Sequence, residues 1–229
     1  MNGGTCPPNG KLSWFIGEVR GGKTVSTTNI KLEVPVGVSN RHVHLSQEHL
    51  EQLFGPGYEL THLKDLGQPG QYACKETVSV VGSKGVIENV RILGPIRKNS
   101  QVEISRTDAF KLGLKAPIRD SGDHSGTPGC VLVGPRGLVA LDQGVIIAAR
   151  HIHMTPAMAN KCGLKDKDLV SVIVNGERGL IFNNVLIRVR QDFALEIHLD
   201  IDEANGALLN NGDKVIMLTK KQDALSLVG

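Results

Sequence analysis

Aromatic side chains are scarce in this sequence: 3% of 229 residues, with one tryptophan, two tyrosines and five phenylalanines. The formal net charge is only +3, and no Lys/Arg cluster is interleaved with aromatics. That combination excludes nucleic acid as a partner and leaves a small, locally held anion as the charged ligand to expect. Long apolar runs are missing too. The longest, such as Gly144 to Ala149, fall far short of a bilayer span, and no charged segment leads into a signal-peptide core. A membrane partner is therefore excluded. The four cysteines, Cys6, Cys74, Cys130 and Cys162, are scattered without a C-x-x-C pair. With no secretion signal, they read as reduced thiols of a cytoplasmic protein.

What the chain does have is glycine, 27 residues of it, punctuating many short β-branched runs. "VPVGVS", "TVSVVG", "GVIENVRIL", "QVEIS", "CVLVG", "GVIIAA", "LVSVIVNG", "ALEIHLDI" and "KVIMLT" all read as strands bounded by glycine, asparagine or proline. Helical signals are few: Ser46 to about Phe54, Thr155 to about Cys162, and brief turns near Asp108 and Asp202. Short strands with so few crossover helices predict a mainly β protein of barrels rather than a parallel α/β sheet. Residues 1–33 stand apart as a flexible extension. Within them Leu12, Phe15, Ile16 and Val19 follow helical spacing, followed by a polar linker, so the segment reads as a short amphipathic helix on a tether.

Arg41-His42-Val43-His44-Leu45-Ser46 returns as Arg150-His151-Ile152-His153-Met154-Thr155, with His42 and His151 lying 109 positions apart. In each copy a Ser or Thr then stands at a helix N-cap, Pro156 takes the first helical position of the second, and Gly55 or Gly163 closes the helix. Further on, "VIENVRIL" resembles "LIFNNVLI" and "VEIS" resembles "LEIH", which aligns Glu103 with Glu196, 93 positions away. These matches predict two related β-domains from an internal repeat, with a longer insertion in the first half. The expected division is an extension over 1–33, a first β-domain over 34–148, a second barrel over 149–219 and a tail over 220–229.

Residues i and i+2 of a strand share a face roughly 6.6 Å apart, close enough for two imidazoles to meet on one metal. One H-x-H is weak evidence; two copies inside a repeat, each running from a strand into a capped helix, are stronger. His198, near the end of a strand in the second half, makes five neutral nitrogen donors with His42, His44, His151 and His153. Five histidines without a nearby cysteine suggest two metals with open positions, and Glu103 is the best carboxylate to complete the set. Glu196 shares the face of His198 only if that strand is regular. His49, His62 and His124 are expected to be structural or solvent-exposed. The first H-x-H also approaches a cupin motif, but Glu48 falls on the capped helix and no second motif follows. Amidohydrolases need an eight-stranded α/β barrel that this pattern does not supply. "DSGDHSGTPG" at 120–129 is a tight turn or a phosphate-binding loop, and Arg91, Arg97 and Lys98 surround a Gly-Pro turn where arginine can hold phosphate.

"VGVSNRHVHLS", "DHSGTPG", "ARHIHM" and "LEIHLDIDEANG", in that order, make the chain resemble the phosphate propanoyltransferase family of phosphotransacylases, from about Val34 to Leu218. The resemblance implies two β-barrel domains, with the first strand packing on the second barrel, a two-zinc centre and a homodimer. It implies the exchange acyl-CoA + phosphate ⇌ acyl phosphate + CoA by direct attack, without an acyl-enzyme. It also implies metal ligation by His42, His44, Glu103, His151, His153 and His198. Arg97 becomes the catalytic, phosphate-handling residue, joined by Ser121, and coenzyme A would be met by Ser39, Lys64, Arg91, Leu93 and Asn205. Some members are packaged in bacterial microcompartments, in propanediol degradation among other settings, through a short N-terminal helix, which makes residues 1–33 a candidate signal toward shell or core proteins. Two alternatives stay open: a dinuclear metallohydrolase of thioesters or phosphoesters, and a non-catalytic metal-binding β-barrel.

Overall fold

A computed structural model describes residues 29–220; the N-terminal amphipathic segment lies outside them. The first half runs β1 (Asn29–Ser39), β2 (His42–His44), α1 (Gln47–Phe54), β3 (His62–Asp65), β4 (Tyr72–Val81), β5 (Val86–Gly94), β6 (Gln101–Glu103), α2 (Arg106–Leu112), β7 (Ile118–Arg119), β8 (Cys130–Val133), β9 (Leu138–Leu141) and β10 (Val145–Ala148). The second half runs β11 (His151–Met154), α3 (Pro156–Cys162), β12 (Leu169–Val174), β13 (Leu180–Val189), β14 (Glu196–Asp200), α4 (Ile201–Ala207) and β15 (Lys214–Lys220). The protein is mainly β.

Six strands close into a barrel in the order β1-β14-β11-β13-β12-β15, with β15 pairing back onto β1. Alternation builds it. Val34 and Val36 of β1, Val172 of β12 and Val215 and Met217 of β15 point inward and are essentially fully buried. Each such side chain contributes about 1.5–3 kcal/mol on burial. The other strands form an open sheet, β7-β10-β6-β2-β5-β4-β8-β9, with β3 added on β4. Two closed barrels were expected; this second body is a half-barrel. Its outer strands do not meet, and β7 offers only two residues, too few for a ladder that would close it. Its core gathers Val43, Leu50, Leu53, Ile92, Val102 and Leu132.

The helices begin where their caps stand. Ser46 accepts from His49 N–H, and Thr155 from Met158 N–H with Pro156 in the first turn. Near Asp108 and Asp202, where the sequence suggests brief turns, the chain forms full two-turn helices. Reciprocal capping boxes, Ser105 with Asp108 and Asp200 with Glu203, satisfy their first-turn donors.

The two halves place their strands in matching neighbourhoods. β2 lies between β5, parallel, and β6, antiparallel; β11 lies between β13, parallel, and β14, antiparallel. In these registers His42 faces Arg91 and Glu103, and His151 faces Leu186 and His198. The positional counterpart of Glu103 is therefore His198, not the Glu196 that letter matching selects. Asn89 and Asn184, both left-handed at φ 57, fit the same frame.

Candidate metal centre and substrate cleft

Two triads of side chains able to hold a metal ion follow from these registers. His42 and His44 project from one face of β2, and Glu103 reaches them from β6. His151 and His153 project from β11, and His198 reaches them from β14. Within each triad the donor atoms lie within 4.8 Å of one another. The arginine that opens each motif has its own task. Arg41 Nε donates to Asp108 at 2.9 Å, and Arg150 Nε to Glu203 at 2.9 Å. Each ties a histidine strand to the helix that follows the strand bearing the third ligand.

Hydrogen bonds select the tautomers. Nδ1 of His42, His44 and His151 faces the backbone oxygens of Asn40, Leu93 and Ala149 at 2.8, 3.3 and 2.7 Å. A carbonyl only accepts, so Nδ1 carries the proton and Nε2 turns its lone pair into the cleft. The Nε2 atoms of His151 and His153 stand 3.0 Å apart, and His42 Nε2 is 3.5 Å from Glu103 Oε2. Donors about 2.0–2.1 Å from a tetrahedral ion are separated by about 3.4 Å, so the residues present fit a divalent cation such as zinc.

The electrostatics of the triads differ. Burial drives the His151 and His153 imidazoles down to about 3 and about 2, with repulsion from neighbouring imidazoles adding to it. Burial likewise holds His44 well below its usual range. Burial also opposes charge on His42, but the Glu103 carboxylate overrides it and raises the imidazole. Burial alone would raise Glu103; the charges of His42 and His44 and the hydrogen bonds it accepts hold it well below the carboxylate range.

A buried glutamine buttresses a carboxylate in each half, and neither glutamine is marked in the sequence. Gln101, 1% exposed, donates to Glu103 Oε1 at 2.6 Å and to Ser121 Oγ at 2.9 Å, and accepts from Gly122 N–H and His124 Nε2. All its hydrogen-bonding capacity is used. Gln68 donates to Glu196 Oε2 at 3.0 Å, and Glu196 accepts from His198 Nε2 at 2.7 Å. Strand β14 is regular enough for Glu196 and His198 to share a face. Gly67 lets the β3–β4 connection approach, since a Cβ there would fall 2.3 Å from Glu196 Oε1.

Both triads line one cleft of about 720 Å³ between the barrel and the open sheet. Among the residues the sequence singles out, Ser39, Lys64, Arg91, Leu93, Arg97 and Ser121 also line it. Asn205 does not: it is exposed on α4, and the asparagines lining the cleft are Asn40 and Asn211. Arg97 donates to Ser121 Oγ at 3.0 Å, and Ser121 donates to Glu103 at 2.9 Å. Arg91 donates to the backbone oxygens of Cys74 and Lys75. The 120–129 loop spends its N–H groups on itself and on Gln101, as Gly122, Asp123, Ser125 and Thr127 all donate within the protein. Its hydroxyl, not its backbone, faces the cleft. His49 is bonded to Ser100, His62 to Asp65 and His124 to Gln101. Arg188, Arg190, Phe193 and Glu196 also line the cleft; the alternating Arg188 and Arg190 at the end of β13 were the available signal for the first two. No helix among the described residues is long and apolar enough to cross a membrane.

A sequence model of the phosphate propanoyltransferase family matches residues 35–210. The chain is 67% identical over 184 residues to the phosphate propanoyltransferase of Thermotoga maritima, covering 80% of this chain and 88% of that one. It is 54% identical over 189 residues to that of Listeria monocytogenes, covering 82% and 89%. It is 55% identical over 179 residues to that of Salmonella typhimurium, covering 78% and 85%.

Proposed function

The chain belongs to the phosphate propanoyltransferase family and is an acyltransferase; we propose that it interconverts a short-chain acyl-CoA and phosphate with acyl phosphate and CoA at a pair of zinc ions. The observation that carries this reading is the convergence of two ligand triads and Arg97, drawn from both halves of the fold, on one cleft. His42, His44 and Glu103 would hold one ion, and His151, His153 and His198 the other. A bound ion pair supplies Lewis acidity toward the thioester and a counter-charge to phosphate.

The remaining steps belong to the chain's own groups. Phosphate is a strongly hydrated nucleophile, and the half-buried Arg97 guanidinium replaces part of that hydration while orienting the anion beside Ser121. Ser39, Lys64, Arg91 and Leu93 form the CoA side of the cleft; Asn205 remains a proposed CoA contact from α4. Phosphate attacks the acyl carbon directly and the CoA thiolate leaves; that no described cysteine lines the cleft agrees with a route that forms no acyl-enzyme on sulfur. We read the two halves as copies of one unit, supported by the equivalent pairing of His42 with Glu103 and His151 with His198. The family reading extends to a homodimer and, through residues 1–33, to packaging inside a bacterial microcompartment.

The test is thiol release from acetyl-, propanoyl- and longer acyl-CoA with and without inorganic phosphate. Free CoA should appear only when phosphate is present, together with stoichiometric acyl phosphate. Release without phosphate would identify a hydrolase, and no release with any chain would leave a metal-binding protein.

A further inference from the structure

Arg188 sits on β13 with its Cα paired to that of His153, directly beside the all-histidine triad. It is half-buried and lines the same cleft as Arg97. Neighbouring arginines are neutralised: Arg41 by Asp108, Arg150 by Glu203 and Arg190 by Asp192. Neither Arg188 nor Arg97 has a carboxylate within ion-pair distance among the described residues, and Arg97 bonds only to the neutral Ser121 hydroxyl. Arg188 is instead steered by a ring. Phe193 lies 5.9 Å from its guanidinium carbon and 4.2 Å from the His153 ring, so the cation is oriented without being neutralised.

The two guanidiniums enter from opposite bodies, Arg97 from the loop after β5 of the open sheet and Arg188 from the closed barrel. They sense each other: burial pulls the Arg97 pKa down, Glu103 offsets part of this, and Arg188 adds repulsion. Two unpaired cations facing one cleft oppose folding unless an anion seats between them, and then one repulsion becomes two charge-assisted contacts. The forked guanidinium matches a phosphoryl group's oxygens.

We propose that Arg188 is a second substrate-binding residue that grips the reacting phosphoryl group, of inorganic phosphate in one direction and of acyl phosphate in the other, opposite Arg97. This rests on the reaction given under the proposed function. The phosphates of CoA are a second source of the same chemistry. They are separated from the thiol by the whole pantetheine arm, whereas Arg188 stands beside the triad where the thiol must react, so the reacting phosphoryl group is favoured.

The test uses the full-length, metal-loaded enzyme and Arg188→Gln and Arg188→Lys variants. Calorimetric titration with inorganic phosphate reads affinity without turnover, and kinetics in both directions read KM. Arg188→Gln should weaken phosphate binding and raise the KM for phosphate and acyl phosphate at least about tenfold, the equivalent of about 1.4 kcal/mol. Arg188→Lys should recover part of the loss, because the charge returns without the fork. Metal content and the KM for CoA should stay within about twofold of wild type. Unchanged phosphate affinity in Arg188→Gln, a rise confined to the KM for CoA, or loss of metal would each overturn the assignment. A wild-type enzyme that binds phosphate through Arg188 yet releases thiol without it would sink the reaction and leave this site standing.

Discussion

The two triads occupy the same place in their respective sheets and differ in where each keeps its negative charge. On the open sheet the third donor is Glu103 itself. On the closed barrel it is His198, and the carboxylate, Glu196, stands one layer back at 2.7 Å from His198 Nε2. Behind each carboxylate is a buried glutamine, Gln101 at 2.6 Å and Gln68 at 3.0 Å. Each triad therefore has one carboxylate–glutamine pair at hand, and both glutamines come from the first half of the chain. The carboxylate is a member of the triad on the open sheet and stands behind a histidine on the barrel. The consequence is electrostatic. A carboxylate donor gives the Glu103 triad a formal charge that raises the His42 imidazole, whereas burial drives His151 and His153 of the other triad well down. The first is the harder donor set and the second the softer one. Under the proposed reaction, the softer set suits the thiol of CoA and the harder one the oxygens of phosphate.

Removing one donor from each triad is the strongest way to break this comparison. His151→Ala and Glu103→Ala should each cost one zinc per chain and lower turnover by more than about a hundredfold, because loss of even an outer partner costs 10–100-fold in metal affinity. Zinc per chain after dialysis, read by atomic emission beside circular dichroism of the fold, decides it. A His151→Ala protein that keeps its full metal complement and turnover would remove His151 from the site. If either variant loses both ions, the triads are one cooperative site rather than two.

The repeated Arg-His-aliphatic-His motif was legible in the sequence because it is local. Strand alternation puts His42 beside His44, and a Ser or Thr cap fixes where the following helix begins. The mainly β class was legible for the same reason. Strand neighbours were not, since alternation says which face a residue takes but not which strand lies beside it. Matching letters thus aligned Glu103 with Glu196, while the ladders set Glu103 opposite His42 and His198 opposite His151. Closure of only one barrel depends on whether edge strands meet, which no local signal reports. Gln68 and Gln101 carry no motif and stand out only once their burial and partners are known, while Arg188 had only its alternation with Arg190 to mark it.

A gentler perturbation acts on the outer layer. Glu196→Ala should weaken zinc at the His151 triad by about 10–100-fold and spare the Glu103 triad, because His198 loses the group that orients it. Gln101→Leu should do the reverse, leaving Glu103 and Ser121 each short of one donor at a cost of about 1–3 kcal/mol. Competition titration with a zinc chelator resolves two affinities and shows which one moves. If either variant shifts both affinities equally, the outer layers do not act separately.

The smallest expected effect concerns the described cysteines, present in the cores of both bodies and absent from the cleft between them. Cys74 and Cys130 are buried in the open sheet and Cys162 in the barrel. Burial pushes the Cys130 thiol up to about 12 and the Cys74 thiol up to about 11, where a neighbouring Glu76 charge contributes. At pH 8 a thiol with a pKa of about 11 is thiolate in only about one molecule per thousand, and the thiolate is the nucleophile. Direct attack by phosphate therefore predicts that iodoacetamide leaves native turnover unchanged at that pH, with Cys6→Ser as background to remove the cysteine outside the described residues. Cys130→Ala should retain the wild-type rate while losing some stability to the small cavity it creates. Loss of turnover in step with alkylation of Cys74 or Cys130 would mean a thiol reaches the substrate, and an acylated enzyme would replace direct attack.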